Sequence, residues 1–193
     1  MTKMQTRFLL RFVTLLLVLA VPLYSQDSDT SAAETYFTNT VLIDQNGESH
    51  RFFEDLLKGK TVVISSFHTS CNGVALVYNR HLGKIQEAFE DRMGSELFFI
   101  SITLDPEKDT PARLKEYAKK FDAGPGWLFL TGSRQNVDFM LKKLGYFVAD
   151  IEDHNSTFTI GNVRTSLWKK AFGLAKAEDL IKIVRSVLDD EGK

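Results

Sequence analysis

Apolar runs and amphipathic stretches alternate along the chain, and their periods predict an α/β domain. Residues 61–66 form a β-branched apolar run that is typical of a strand buried on both faces of a sheet. Apolar positions from Val74 to Phe89 then recur at helical spacing, which predicts an amphipathic helix over 74–92. By the same criteria we expect further strands at 40–43, 49–52, 96–102, 127–130, 157–160 and 166–168, and further helices at 111–121, 133–144 and 176–188.

Turn and capping residues separate these elements. Asn46-Gly47 is typical of a tight hairpin turn, because such a turn needs positive φ angles. Gly161-Asn162 predicts a second turn, between the last two strands. Ser133 and Gly145 are suited to begin and end a helix.

The resulting order is a β-hairpin, a β-α-β-α-β-α unit, a second hairpin and a final helix. Strands that are joined through helices pair in parallel, whereas hairpins add antiparallel strands. We therefore predict a mixed central sheet flanked by helices, with an N-terminal β-hairpin, which is the thioredoxin-like order.

The N-terminal segment is typical of a secretory signal. Three basic residues precede an apolar run over 12–24, which is shorter than the roughly 20 residues of a membrane-spanning helix. We predict a signal peptide at 1–25, a polar leader at 26–35 and one thioredoxin-like domain at 36–190. The protein is then exported, and is either periplasmic or anchored to the outer face of the inner membrane by an uncleaved signal.

The charges of the chain nearly cancel. With 24 basic and 25 acidic residues, the net charge is −1. No overall field therefore attracts nucleic acid or an anionic membrane surface. We expect no nucleic-acid partner, and contact with a membrane only through the signal anchor.

Cys71 is the only cysteine of the chain. An internal disulfide, a Cys-rich zinc site and a dithiol reductase are therefore excluded. A buried apolar thiol, a reactive thiol, a metal ligand and an intermolecular disulfide remain open. Because Cys71 lies just before the helix predicted from Val74, unpaired N–H groups and the helix dipole should stabilise its thiolate.

Several short segments together form a signature. They are Asp44-Gln-Asn-Gly47, Gly59-Lys60, residues 67–71, Asp105-Pro-Glu-Lys-Asp-Thr-Pro111, Trp127 with Leu130-Thr-Gly132, and Asp153-His154. In combination they resemble the Sco/SenC family of extracytoplasmic thioredoxin-like copper proteins. The likeness covers about residues 40–188 and is sharpest over 102–111 followed by Leu114-Lys-Glu-Tyr117.

The resemblance implies a copper site made of two cysteines four residues apart and a histidine from a later loop. Cys71 matches the first cysteine and His154 matches the histidine, but Ala75 stands at the position of the second cysteine. An alternative registration, with Ser70 first and Val74 second, leaves no thiol at either position.

His68, three residues before Cys71, is a candidate third metal ligand. Thiolate and imidazole suit copper and also zinc, so that ligand type alone leaves the metal open. The resemblance implies copper as the cofactor.

Other polar residues have structural interpretations. His81 falls on the apolar stripe of its helix and is expected at the edge of the core. His50 lies in the first hairpin, and we expect neither histidine to bind metal. Asp105 is interpreted as a turn residue, and Asp109, which precedes Pro111, as a helix cap.

The resemblance implies a metal-binding assembly factor rather than an enzyme. Such a protein would hold copper for the copper centre of a respiratory oxidase, or keep that centre reduced, during assembly. Its partner would be the oxidase copper-centre subunit or another extracytoplasmic client.

Two alternatives stay open. In one, Cys71 is the catalytic thiol of a redox enzyme whose mixed disulfide is resolved by an external thiol. In the other, the chain is a degenerate member of the family that acts by protein contact alone.

Overall fold

The computed structural model describes residues 26–71, 73–153 and 156–192. The helices are α1 (Gln26–Phe37), α2 (Val74–Ala88), α3 (Pro111–Lys119), α4 (Arg134–Leu144) and α5 (Ala177–Leu188). The strands are β1 (Val41–Ile43), β2 (Ser49–Arg51), β3 (Thr61–Phe67), β4 (Leu97–Thr103), β5 (Trp127–Leu130), β6 (Thr157–Asn162) and β7 (Leu167–Phe172). A π-helical turn covers Phe52–Leu57 and a 3-10 turn covers Ile151–Asp153.

The central sheet has five strands in the order β5-β4-β3-β6-β7. The β3-β4 and β4-β5 pairs are parallel, and the β3-β6 and β6-β7 pairs are antiparallel. The hairpin β1-β2 joins the end of β5 through two hydrogen bonds between Ile43 and Thr131, of 2.7 and 2.8 Å. The predicted mixed α/β sheet with an N-terminal β-hairpin is confirmed.

Two hydrophobic clusters cover opposite faces of the sheet. Val63 and Phe99 belong to the first cluster, with side chains of α2, α3 and α5. Ile64 and Ile100 belong to the second, with side chains of α1, α4 and the π-helical turn. Every residue of β3 is buried, as its apolar run predicted. Helices on both faces therefore leave the strand ends and their loops as the accessible parts of the sheet.

Both predicted ends of α4 are confirmed, whereas the predicted end of α2 is wrong. The Ser133 hydroxyl accepts from the N–H of Asn136, and Gly145 ends α4 with φ 75°. In contrast, α2 ends at Ala88 and not at residue 92, because Phe89 leaves the helical conformation with φ −131° and ψ 30°.

The turn predicted at Gly161-Asn162 is wrong. Both residues lie inside β6, and Gly161 pairs with Trp168 across the hairpin. A side chain at position 161 would place its Cβ 2.2 Å from the Trp168 ring, so that the glycine is required by packing and not by a turn.

The predicted polar leader forms most of α1. Ala33 packs against the second cluster and Phe37 is buried within it. The Tyr36 hydroxyl donates to the carbonyl of Lys143 at the end of α4, at 2.8 Å. The predicted signal at 1–25 lies outside the described residues. Within the described part of the chain, none of the helices is long and apolar enough to span a bilayer.

Candidate functional site

Cys71 lies in the loop that connects β3 to α2. Its N–H donates to the carbonyl of His68 at 3.2 Å, which closes a turn directly after the strand. Gly73 occupies the N-cap position of α2, and it makes no side-chain cap. The loop therefore places the cysteine two residues before the N-cap, as the sequence predicted.

A buried carboxylate holds this loop in place. Asp109 is 1% exposed and accepts from the N–H of Thr69 at 3.1 Å, from the Thr69 hydroxyl at 2.5 Å and from the Thr103 hydroxyl at 2.5 Å. Arg113 donates through Nε to the Thr69 hydroxyl at 2.6 Å. The start of α3 is thus fastened to the loop that carries Cys71.

The interpretation of Asp109 as a helix cap is therefore wrong. The N-cap of α3 is Thr110, whose hydroxyl accepts from the N–H of Arg113 at 3.4 Å. Asp105 is interpreted as a turn residue. Its backbone carbonyl accepts hydrogen bonds from the N–H groups of Lys108 and Asp109, which close a turn.

Cys71 is largely buried, with 9% of the residue exposed. It belongs to the first hydrophobic cluster together with Ala75, Tyr78 and Tyr117. Burial raises the pKa of Tyr78 and Tyr117 well above the usual value, and a negative charge on Cys71 contributes to both increases. Both phenols therefore stay neutral at ordinary pH.

Ala75 is fully buried in the first turn of α2. Its methyl group occupies the position at which the resemblance places a second cysteine. Ala75 and Cys71 belong to the same hydrophobic cluster, so the position of the second cysteine lies within the core.

His68 is fully buried, and its Nδ1 lies 2.8 Å from the Ser70 hydroxyl. The role of His68 as a third ligand stays a prediction.

His154 lies outside the described residues, so that its approach to Cys71 also stays a prediction. The flanking residues are anchored: the carbonyl of Ser156 accepts from the N–H of Gly173 at 2.5 Å. Nδ1 of His81, on α2, donates to the carbonyl of Gly173 at 2.8 Å. His81 thus connects the helix that follows Cys71 to the chain segment next to His154.

Within the described residues, one cluster of three groups has metal-binding spacing, formed by Asp44, Glu48 and His50. The Asp44 carboxylate accepts from the N–H groups of Asn46 and Glu48 at 2.8 and 3.0 Å, and lies 3.2 Å from Nε2 of His50. Both of its oxygens are therefore used to close the hairpin turn, which gives the cluster a structural role.

Comparison with known families identifies a match over most of the chain. The family described as SCO1/SenC matches residues 28–188. An SCO2-like protein of Rickettsia conorii is 36% identical over 110 residues, which are 57% of this chain and 51% of the relative. In that alignment the chain spans about half the length of the curated relative it matches.

Solved structures have the same fold. A SCO1/SenC family lipoprotein from Bacillus anthracis is 26% identical, with a TM-score of 0.65 over 77% of this chain and 92% of that one. Yeast Sco1 with copper bound is 25% identical, with a TM-score of 0.60 over 80% and 95%. BsSco, described as a member of the Sco family of cytochrome c oxidase assembly proteins, is 24% identical, with a TM-score of 0.66 over 79% and 92%.

Proposed function

The chain belongs to the SCO1/SenC family, and on that premise we propose that it binds copper through Cys71 for the assembly of a respiratory oxidase copper centre. The observation that carries the proposal is the fixed position of Cys71, at the end of β3 and before α2, held through Thr69 by Asp109. Yeast Sco1, which is similar over 80% of this chain, has been solved with copper bound.

The proposed ligands are the Cys71 thiolate and the His154 imidazole, with His68 as a candidate third ligand. Thiolate sulfur and imidazole nitrogen are suited to cuprous copper. Cys71 is largely buried and belongs to the first hydrophobic cluster, as do Tyr78, Tyr117 and Ala75. An apolar environment favours a soft metal over a strongly hydrated ion.

The missing second sulfur changes what such a site does. A site with fewer strong ligands holds copper less tightly and releases it more readily to a partner that offers additional ligands. We therefore propose delivery of copper to an oxidase copper-centre subunit, or to another extracytoplasmic client, rather than long-term storage. Export agrees with the likeness to a family lipoprotein and with the signal predicted at 1–25.

Thiol exchange with an outside partner is the less favoured function. Cys71 is the only cysteine of the chain, so a mixed disulfide at this residue could be resolved only by a thiol from outside. The Cys71→Ser variant described below distinguishes copper binding from action by protein contact alone.

The test is a competition for Cu(I) between the protein and a chromogenic chelator under reducing conditions. Wild type is expected to retain one copper per chain. Cys71→Ser should reduce the affinity by at least about 100-fold, more than loss of an outer-shell partner does. His154→Ala should also weaken retention, and His68→Ala should do so if His68 is the third ligand.

The matched control is His50→Ala, which removes a histidine from the distant hairpin and should leave copper retention unchanged. Equal retention by wild type and Cys71→Ser would overturn the copper proposal. If Cys71→Ser also left oxidase assembly intact in cells, action by contact alone would be favoured.

A further inference from the structure

A groove of about 550 Å³ lies on the face of the sheet that α1 and α4 cover. Cys71, in contrast, packs in the cluster on the opposite face. Phe37, Leu144 and Trp168 form the apolar lining of the groove, and Lys143 and Lys170 line it as well. Its volume is within the roughly 300–1,000 Å³ of ligand pockets.

Two exposed aromatic side chains meet a lysine of this groove. Tyr36, which lines the groove, is 53% exposed, and Phe139 on α4 is 41% exposed. The Lys143 ammonium lies 5.1 Å from the Tyr36 ring centre and 5.5 Å from that of Phe139. We call the surface formed by Tyr36, Phe139, Lys143, Trp168 and Lys170 the aromatic-lysine face.

The aromatic-lysine face is locally basic although the net charge of the chain is −1. The groove lining contains no acidic residue among the side chains that the structure describes. Within the part of the chain that the structure describes, the ion pairs do not include Lys142, Lys143 or Lys170. Lys169 also borders the groove, but its ammonium donates to the Ser186 hydroxyl of α5 at 2.8 Å. Among the described side chains, an anionic occupant therefore meets Lys143 and Lys170 without a competing ion pair.

We propose that the aromatic-lysine face docks on an anionic lipid surface, with lipid phosphates at Lys143 and Lys170 and the apolar part of the lipid in the groove at Trp168. Rings and lysines that lie side by side are typical of surfaces at a membrane interface, where the apolar body is buried and the charged tip stays in water.

The order of the chain supports this occupant. The apolar run at 12–24 is followed almost directly by α1, which begins at Gln26 and forms one wall of the groove. A domain attached through that run would hold the aromatic-lysine face near the bilayer. An acidic protein would satisfy the lysines but would leave the apolar lining of the groove unexplained.

The test uses the fluorescence of Trp168 in the full chain. The protein is added to vesicles of phosphatidylcholine alone, or of phosphatidylcholine with phosphatidylglycerol, each with brominated acyl chains as quencher. Trp127 is 1% exposed and lies in the cluster on the other face, so that it serves as an unquenched reference. We expect quenching of Trp168 with the anionic vesicles, and its loss at high salt.

Two double variants, each of which removes two lysine charges, test whether the lysines of the groove are responsible for docking. Lys143→Gln with Lys170→Gln should lower the ratio of docked to undocked protein roughly 30-fold, since each lysine near an anionic surface contributes a factor of about five. Lys115→Gln with Lys119→Gln makes the same charge change on exposed positions of α3, over the other face, and should leave quenching intact.

Equal quenching with neutral and anionic vesicles would overturn the proposal, because it would show that the lysines do not determine docking. Absence of quenching, together with cross-linking of the face to an acidic protein, would overturn it in favour of a protein partner. Copper retention should be unchanged in both double variants, so that this proposal and the copper proposal can fail separately.

Discussion

Asp109 and Thr69, 40 positions apart in the chain, are joined by two hydrogen bonds, from the Thr69 N–H at 3.1 Å and from its hydroxyl at 2.5 Å. The Thr103 hydroxyl on β4 donates to the same carboxylate. Because Thr69 lies two residues before Cys71, the position of the sulfur depends on a side chain at the start of α3. This contact connects the stability of the domain to the geometry of the proposed copper site.

Asp109→Asn should lower both stability and copper affinity. The amide keeps the shape of the carboxylate but turns one acceptor into a donor that faces other donors. The free energy of unfolding should fall by about 3 kcal/mol, because a buried charge-assisted contact is lost and a donor stays unpaired. Urea unfolding and Cu(I) competition measure the two effects.

The control for this variant is Asp91→Asn, which makes the same chemical change on an exposed residue. It should alter stability by less than about 0.5 kcal/mol. An Asp109→Asn protein with wild-type stability and wild-type copper affinity would contradict the role of this carboxylate.

Ala75→Cys should restore a second thiol beside Cys71 and strengthen Cu(I) binding. Ala75 is fully buried in the same cluster as Cys71, and it holds the position of the second cysteine in the family resemblance. The added sulfur should cost at most about 1–3 kcal/mol of stability through overpacking. Chelator competition in reducing buffer measures the gain in affinity.

Ala75→Ser is the matched control, since it adds an atom of similar position without a soft ligand. Copper affinity should rise with cysteine and not with serine. Equal affinity in the two variants would show that position 75 does not face the metal.

The sequence predicted those parts of the fold that depend on local patterns. The order of strands and helices, the Ser133 and Gly145 helix ends and the position of Cys71 after β3 are all encoded in short stretches of chain. Each depends on periodicity or on the preferred backbone angles of one residue, and these act before tertiary contacts form.

Features that depend on distant partners were not predicted. Asp109 has a sequence neighbour, Pro111, that makes a helix cap the obvious interpretation, whereas its real partners lie on β4 and in the Cys71 loop. Likewise, Lys143 meets Tyr36 of α1 and lines one groove with Lys170 of β7 only in the folded chain. The net charge of the whole chain does not show this local grouping of lysines.

Gly173→Ala should disturb the chain segment next to His154. A Cβ at position 173 would lie 2.8 Å from the Ser156 carbonyl oxygen and 3.1 Å from Cζ of Phe158. Relief of this contact must displace backbone, so that stability should fall by about 1–3 kcal/mol. Copper affinity should fall as well if His154 is a ligand.

Gly83→Ala provides the comparison, because the nearest atom to the added Cβ is 3.8 Å away and the site lies inside α2. Alanine should stabilise this helix by about 0.5–1 kcal/mol. A Gly173→Ala protein that unfolds like wild type would contradict the close packing of this loop.

The Asp44 carboxylate should make the first hairpin sensitive to acid. Burial by itself would raise the pKa of Asp44, but hydrogen bonds from the N–H of Glu48, from His50 and from the N–H of Asn46 outweigh it and lower the pKa below 3.8. A carboxyl whose pKa is lowered in the folded state stabilises the protein above its unfolded pKa. That contribution is lost as the pH falls through the lower, folded pKa.

At neutral pH, the free energy of unfolding of the Asp44→Asn variant should therefore be about 1–3 kcal/mol lower than that of wild type. The difference should begin to shrink near the unfolded pKa of 3.8 and should be lost once the pH has fallen through the lower, folded pKa. Urea unfolding at a series of pH values measures this convergence, with Asp91→Asn as the exposed reference. Protonated Asp44 no longer closes the turn as a charged acceptor. A difference in free energy of unfolding that persisted unchanged well below the folded pKa would therefore contradict the stabilising role of the Asp44 carboxylate.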